Sequence, residues 1–132
     1  MSDTPSRPGL PAQPVYSGPD RYVNSVVLHQ STWDFICVKH PEMRGREKNV
    51  IDVIQQPDLI SEGDRGGRYV LDGYGRIENR SNIVRVILDL NGAEIHLGGG
   101  SAEVVTAYAP KTANTGNLGS VIYFSGFEWR TR

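Results

Sequence analysis

The sequence predicts an α+β fold in which two N-terminal helices pack on an antiparallel sheet of about four strands. Three observations carry that expectation. Residues 31–56 hold two short runs with apolar side chains at helical spacing, divided by Pro41 and closed by Pro57. From Leu59 onward the apolar residues alternate with a period of two, most clearly in Ile83–Leu90, IVRVILDL. Glycine-rich turns separate the later runs, and 132 residues suffice for one domain with a modest core.

Residues 1–20 contain five of the eight prolines and few apolar groups. That composition predicts a disordered Pro-rich tail or linker, leaving 21–132 as a single domain. Tyr22–His29 is a short β-prone run. Ser31 suits the N-cap of a first helix over Thr32–Lys39, with Asp34 three residues on. Trp33, Ile36, Cys37 and His40 then share one face, and Pro41 ends the helix because it disfavours the α conformation at His40. A second helix spans about Arg46–Gln56, with Val50, Ile51 and Ile54 inward.

Leu59-Ile60 starts the strand-like half, and Arg68–Asp72 follows after the turn chemistry of residues 62–67. In Ile83–Leu90, Val84, Val86 and Leu88 lie on one face and Ile83, Arg85, Ile87 and Asp89 on the other. Asn91-Gly92 is a hairpin signal, with a short return strand expected at Glu94–His96. Glu103–Ala109 reads as a strand with Val104, Thr106 and Tyr108 on one face. Val121–Phe124 reads as the last strand, with Phe127 and Trp129 folding back on the core.

Charge and composition narrow the function. Fourteen Lys and Arg against fifteen Asp and Glu leave no global field for nucleic acid or membrane. The positive charge is mostly arginine, and Arg68, Arg76, Arg80 and Arg85 form a candidate anion-binding set. No apolar run reaches the ~18 residues of a membrane span, and no secretory leader pattern opens the chain, so the expected compartment is the cytoplasm. One cysteine, Cys37, provides neither a disulfide nor a thiolate cluster. His29, His40 and His96 lack metal-site spacing, so no metal and no cofactor is expected. Gly98-Gly99-Gly100 lacks the strand, helix and Lys-Ser/Thr of a nucleotide-binding loop.

His40 is the sharpest candidate for chemistry. An imidazole at a helix end, where apolar surface meets solvent, suits acid–base work, and it equally suits a structural cap. Glu42 either orients His40, acts as an acid or base itself, or is a solvated first-turn carboxylate. Lys39 is a candidate phosphate ligand or an ordinary exposed lysine. The hydroxyls of Thr106 and Tyr108 can donate to a phosphate oxygen, although both are also standard strand residues.

Several of these pieces, in this order, resemble a known family. Trp33 with Ile36, Lys39-His40-Pro41-Glu42, Gln56-Pro57-Asp58-Leu59-Ile60, Arg68-Tyr69, IVRVILDL and Val104-Val105-Thr106-Ala107-Tyr108 are similar to the phage and polymorphic-toxin nucleases of the barnase/EndoU/colicin/RelE-like superfamily. The resemblance covers about Ser25–Tyr108. It implies a metal-independent endoribonuclease, a hydrolase borne by a toxin or phage, that acts on RNA such as tRNA. It also implies a cognate immunity or antitoxin protein as a partner.

Carried over position by position, the resemblance makes His40 the general acid/base. Thr106, Tyr69 and Arg68 join it as catalytic residues, with Lys39 and Arg85 as substrate ligands; Tyr108, whose hydroxyl shares the strand face with that of Thr106, is added as a substrate ligand on that ground. Metal-free RNA cleavage needs a base for the 2′-hydroxyl proton, an acid for the leaving 5′-oxygen and donors on the phosphorane oxygens. These residue types can supply all but a second acid/base. The alternative is a non-catalytic protein- or RNA-binding module on the same scaffold, which the near-neutral charge favours.

Overall fold

The computed structural model describes residues 13–78, 81–92, 94–112 and 119–125. Seven strands form one sheet: β1 (Tyr16–Pro19), β2 (Ser25–Leu28), β3 (Leu59–Glu62), β4 (Arg68–Tyr74), β5 (Ile83–Leu90), β6 (Ser101–Tyr108) and β7 (Val121–Phe124). Two α-helices, α1 (Gln30–Lys39) and α2 (Glu47–Gln55), and two single 3-10 turns, Pro41–Met43 and Ile95–Leu97, complete the described elements. The strand order is β1-β2-β6-β5-β4-β3-β7. All neighbours are antiparallel except β2 and β6, which run parallel.

The fold is therefore α+β, but the expected four-stranded antiparallel sheet is replaced by a mixed sheet of seven strands. A strand hairpin also precedes the helices. The reason is that β2 leaves the first hairpin and lies beside β6, so the two strand groups fuse across the helical insertion. The expected tail overlaps an ordered strand at Tyr16–Pro19, which pairs with Ser25–Leu28. Residues 1–12 lie outside the described residues, as do Phe127 and Trp129 with their expected return to the core.

One face of the sheet is covered by the helices. Val84, Val86 and Leu88 of β5 and Leu71 of β4 point toward them, and all are fully buried. Trp33 and Ile36 of α1, Met43, and Val50, Val53 and Ile54 of α2 meet them in one continuous core. Full burial of each such side chain stabilises the fold by about 1.5–3 kcal/mol in transfer free energy. α1 begins after the extended His29, two residues before the helix start expected with Ser31 as cap, and has no side-chain cap bond. In α2 the buried position is Val53 rather than the expected Ile51, which is only half-buried.

The sheet curls far enough to bring the turn of the first hairpin against β7. Tyr22, in the turn between β1 and β2, contacts Tyr123 of β7 edge-to-face, with ring centroids 6.2 Å apart. The turn is built around the buried Asp20 carboxylate. Asp20 Oδ1 accepts from the backbone N–H groups of Tyr22 and Asn24, and the Asn24 amide donates to Oδ2. Asn24 then donates to Ile95 O and accepts from Gly100 N–H, tying the hairpin to the connection before β6. In that connection Ile95–Leu97 forms a 3-10 turn where a strand was expected at Glu94–His96. Gly98 and Gly99 follow with φ of 73° and 75°, which turns the chain out of any strand.

Candidate active site

The residues that carry the candidate chemistry collect at one end of the sheet. Strand registers place Tyr108 opposite Arg85, Arg85 opposite Asp72, and Asp72 opposite Leu59. This row lies on the face away from the helices, because Val84, Val86 and Leu71 occupy the other. A bulge sets the phase of β6. Ile87 faces Thr106 while Leu88 faces Val104, leaving Val105 as the extra residue. Thr106 and Tyr108 therefore share the outer face, but Val104, expected beside them, turns into the core.

His40 reaches this end from α1. Its N–H donates to Ile36 O at 2.6 Å, and its φ of −128° and ψ of 78° take the chain out of the helix before Pro41. The His40 ring stacks on Tyr108, with centroids 5.2 Å apart and planes at 25°. Its side chain is 26% exposed, open enough to meet a ligand. Glu42, on the following 3-10 turn, brings Oε2 to 3.9 Å from His40 Nδ1 and accepts from Ala109 N–H at 3.4 Å. The carboxylate thus anchors the end of β6 next to the imidazole that stacks on it.

Arg85 supports Tyr108 from below. Its Nε and Nη2 donate to the two oxygens of Asp72 at 2.7 and 2.8 Å, a bidentate pair with Asp72 fully buried and Arg85 7% exposed. Burial works against the charge on Arg85. Hydrogen bonding and charge from Asp72, and secondarily from Tyr108, more than reverse that effect and raise the guanidinium above its ordinary value. Tyr74, next along β4 on the same face, has its phenol pushed up to about 12, first by burial and then by the charges of Asp72 and Asp58.

The seven sequence-derived positions do not form one site. His40, Tyr108, Thr106 and Arg85 converge, but Arg68 and Tyr69 lie at the other end of β4. Arg68 faces Asp89 and Asp72 faces Arg85, so four residues, about 13 Å of strand, separate the two groups. Tyr69 points toward the helices, opposite Leu88, and is a core residue at 7% exposure. Arg68 sits between Asp64 and Asp89, with nitrogen–oxygen distances of 4.0 and 3.6 Å. Among the described residues the structure therefore does not bring Arg68 and Tyr69 together with the His40 group. Lys39 is exposed, with Nζ 6.0 Å from the centroid of the Phe35 ring.

Within the expected arginine set, Arg76 is also committed. It pairs with Asp52 and Asp58 and donates to Tyr74 O and Gln56 O. Arg80 lies outside the described residues. Sequence reasoning missed Asp72, whose importance depends on register, although a carboxylate at the centre of an apolar strand was a visible signal. Among the described residues, no three His, Cys, Asp or Glu side chains gather into a group able to hold a metal ion. Cys37 is half-buried, and burial pushes its thiol up, so it sits as a small packing residue. No described helix is long and apolar enough to cross a membrane. Protein-family models, curated proteins and solved structures show no match to this chain.

Proposed function

We propose that this protein is a metal-independent endoribonuclease whose centre is His40 with Tyr108, Thr106 and Glu42. The observation that carries the reading is the stacking of a partly exposed imidazole on a tyrosine whose strand neighbour is a buried arginine. In this reading His40 moves the proton, taking it from the 2′-hydroxyl or giving it to the leaving 5′-oxygen. Tyr108 and Thr106 present hydroxyls to the phosphorane oxygens. Arg85 is too buried to meet the phosphate and acts by holding Tyr108 in place. Glu42 is near enough to His40 to serve as the second acid/base that the sequence alone left without a residue.

The 13 Å gap to Arg68 favours a second reading, a non-catalytic RNA- or protein-binding module, because it removes an arginine from the phosphate site. Incubating the purified protein with tRNA and a structured RNA in EDTA separates the two. Fragments ending in cyclic phosphate support the nuclease. Intact RNA after incubation with folded protein refutes it and leaves the binding module. The expected RNA target class, toxin or phage setting and immunity partner rest on the sequence resemblance and stand as part of this proposal.

A further inference from the structure

At the same end of the sheet, beyond the Tyr108–Arg85–Asp72–Leu59 row, a cleft of about 420 Å³ opens between the C-terminus of α2, β7 and the first hairpin. Its walls include Arg21, Gln55, Gln56, Arg76 and Tyr123. The Arg21 guanidinium lies 4.8 Å from the centroid of the Tyr123 ring and 5.6 Å from that of Tyr22. Arg21 is exposed, and among the described residues no carboxylate comes within 4 Å of it. The other cation is already satisfied, since Asp58 and Asp52 both hold Arg76. Gln56 is exposed and its side-chain amide makes no hydrogen bond among the described residues.

We infer that this cleft is a base-binding subsite for single-stranded RNA. Arg21, exposed beside the Tyr123 ring and hydrogen-bonded to that side chain, offers its guanidinium for stacking, and the Gln56 amide offers a donor and an acceptor to the base edge. A guanidinium beside an aromatic ring and an amide without a partner among the described residues suit an unpaired base, because bases freed from a duplex are held by aromatic or arginine planes and read on their edges. Position supports the assignment. Tyr123 precedes Phe124, the β7 residue paired with Leu59, so the β7 wall of the cleft adjoins the far end of the row that starts at Tyr108. Four strand steps, about 19 Å across the sheet, separate β6 from β7, a spacing that an oligonucleotide of several residues spans. With Arg21 the one lining cation that no carboxylate holds among the described residues, the subsite contributes stacking more than charge, which agrees with a chain of formal net charge −1.

This inference rests on the nuclease reading for its placement beside a scissile phosphate, but it is tested separately. A fluorescent single-stranded RNA hexamer is titrated into the His40→Ala protein by anisotropy, alone and with Arg21→Ala, Arg21→Lys or Gln56→Ala added. Cleavage by the wild-type protein is followed in parallel, and unfolding midpoints confirm that each variant folds.

The expected result is about tenfold weaker binding for Arg21→Ala. Arg21→Lys stays weak because an ammonium keeps the charge but not the plane. Restored binding with lysine would overturn base stacking in favour of a point-charge contact. Wild-type cleavage together with unchanged hexamer binding in Arg21→Ala would overturn the subsite and leave the nuclease standing. No cleavage, with hexamer binding still lost in Arg21→Ala, would refute the nuclease and support the subsite within a binding module. A hexamer that binds none of the proteins overturns the subsite.

Discussion

The most informative perturbation of the fold is the Arg85–Asp72 pair, because the candidate site stands on it. Asp72 is fully buried and Arg85 is 7% exposed, with two charge-assisted hydrogen bonds of 2.7 and 2.8 Å between them. Removing one partner leaves the other charge buried and uncompensated, which costs about 3–5 kcal/mol. Small domains hold roughly 5–15 kcal/mol in total, so Asp72→Ala is expected to remove a large share of the stability. Replacing both partners with apolar residues, Asp72→Leu with Arg85→Met, removes the desolvation cost together with the attraction. That double variant should lie within about 2 kcal/mol of wild type, whereas two independent losses would sum to about 6–10 kcal/mol. Urea unfolding at neutral pH measures wild type, Asp72→Ala, the singles Asp72→Leu and Arg85→Met, and the double variant, read at constant slope against denaturant. A loss below about 1 kcal/mol for Asp72→Ala, or a double variant as unstable as the summed singles, would refute the argument.

Three further expectations follow from other parts of the structure. Tyr74 keeps its proton to about pH 12 in the folded protein but loses it near pH 10 when unfolded, so the native state binds more protons in between. Stability therefore falls as pH rises from about 10 to 12, and Tyr74→Phe should flatten that decline in urea midpoints measured across the range. Asn24→Ala leaves Ile95 O, Gly100 N–H and the Asp20 carboxylate short of partners in a fully buried position, costing about 2–3 kcal/mol in the same unfolding assay. Tyr108→Phe keeps the ring against His40 but removes the hydroxyl, and single-turnover RNA cleavage is expected to slow by about 10²–10³, with stability lowered by only about 1 kcal/mol for the lost hydrogen bond to Arg85.

Local pattern was legible where a segment's own chemistry decides its shape. The alternation of Ile83–Leu90 marks β5 with the bounds the structure has, and Val121–Phe124 likewise marks β7. Pro41 stops α1 at His40 because the restriction on the residue before proline is local. What depends on pairing was not legible. β1 hides in a Pro- and Gly-rich stretch, since its four residues are only alternately half-buried and show no apolar stripe. The bulge at Val105 arises between two strands, so the facing of Val104 could not be read from β6 alone.

Register likewise explains the candidate site. Arg68 and Arg85 look alike in sequence, yet the β4–β5 pairing sends one to Asp89 and the other to Asp72. Tyr69 alternates correctly but on the helix-covered face. The contact of Tyr22 with Tyr123 spans the whole sheet and follows from its curl, which no single strand encodes.

The central claim is that the imidazole stacked on Tyr108 moves the proton in RNA cleavage. Its most direct test is the single-turnover cleavage rate of His40→Ala beside wild type, on tRNA in EDTA, with unfolding midpoints measured on both. The account predicts a loss of at least about 10² in rate with a folded variant, as general acid–base groups contribute about 10²–10⁴. A folded His40→Ala protein that cleaves at the wild-type rate would contradict it.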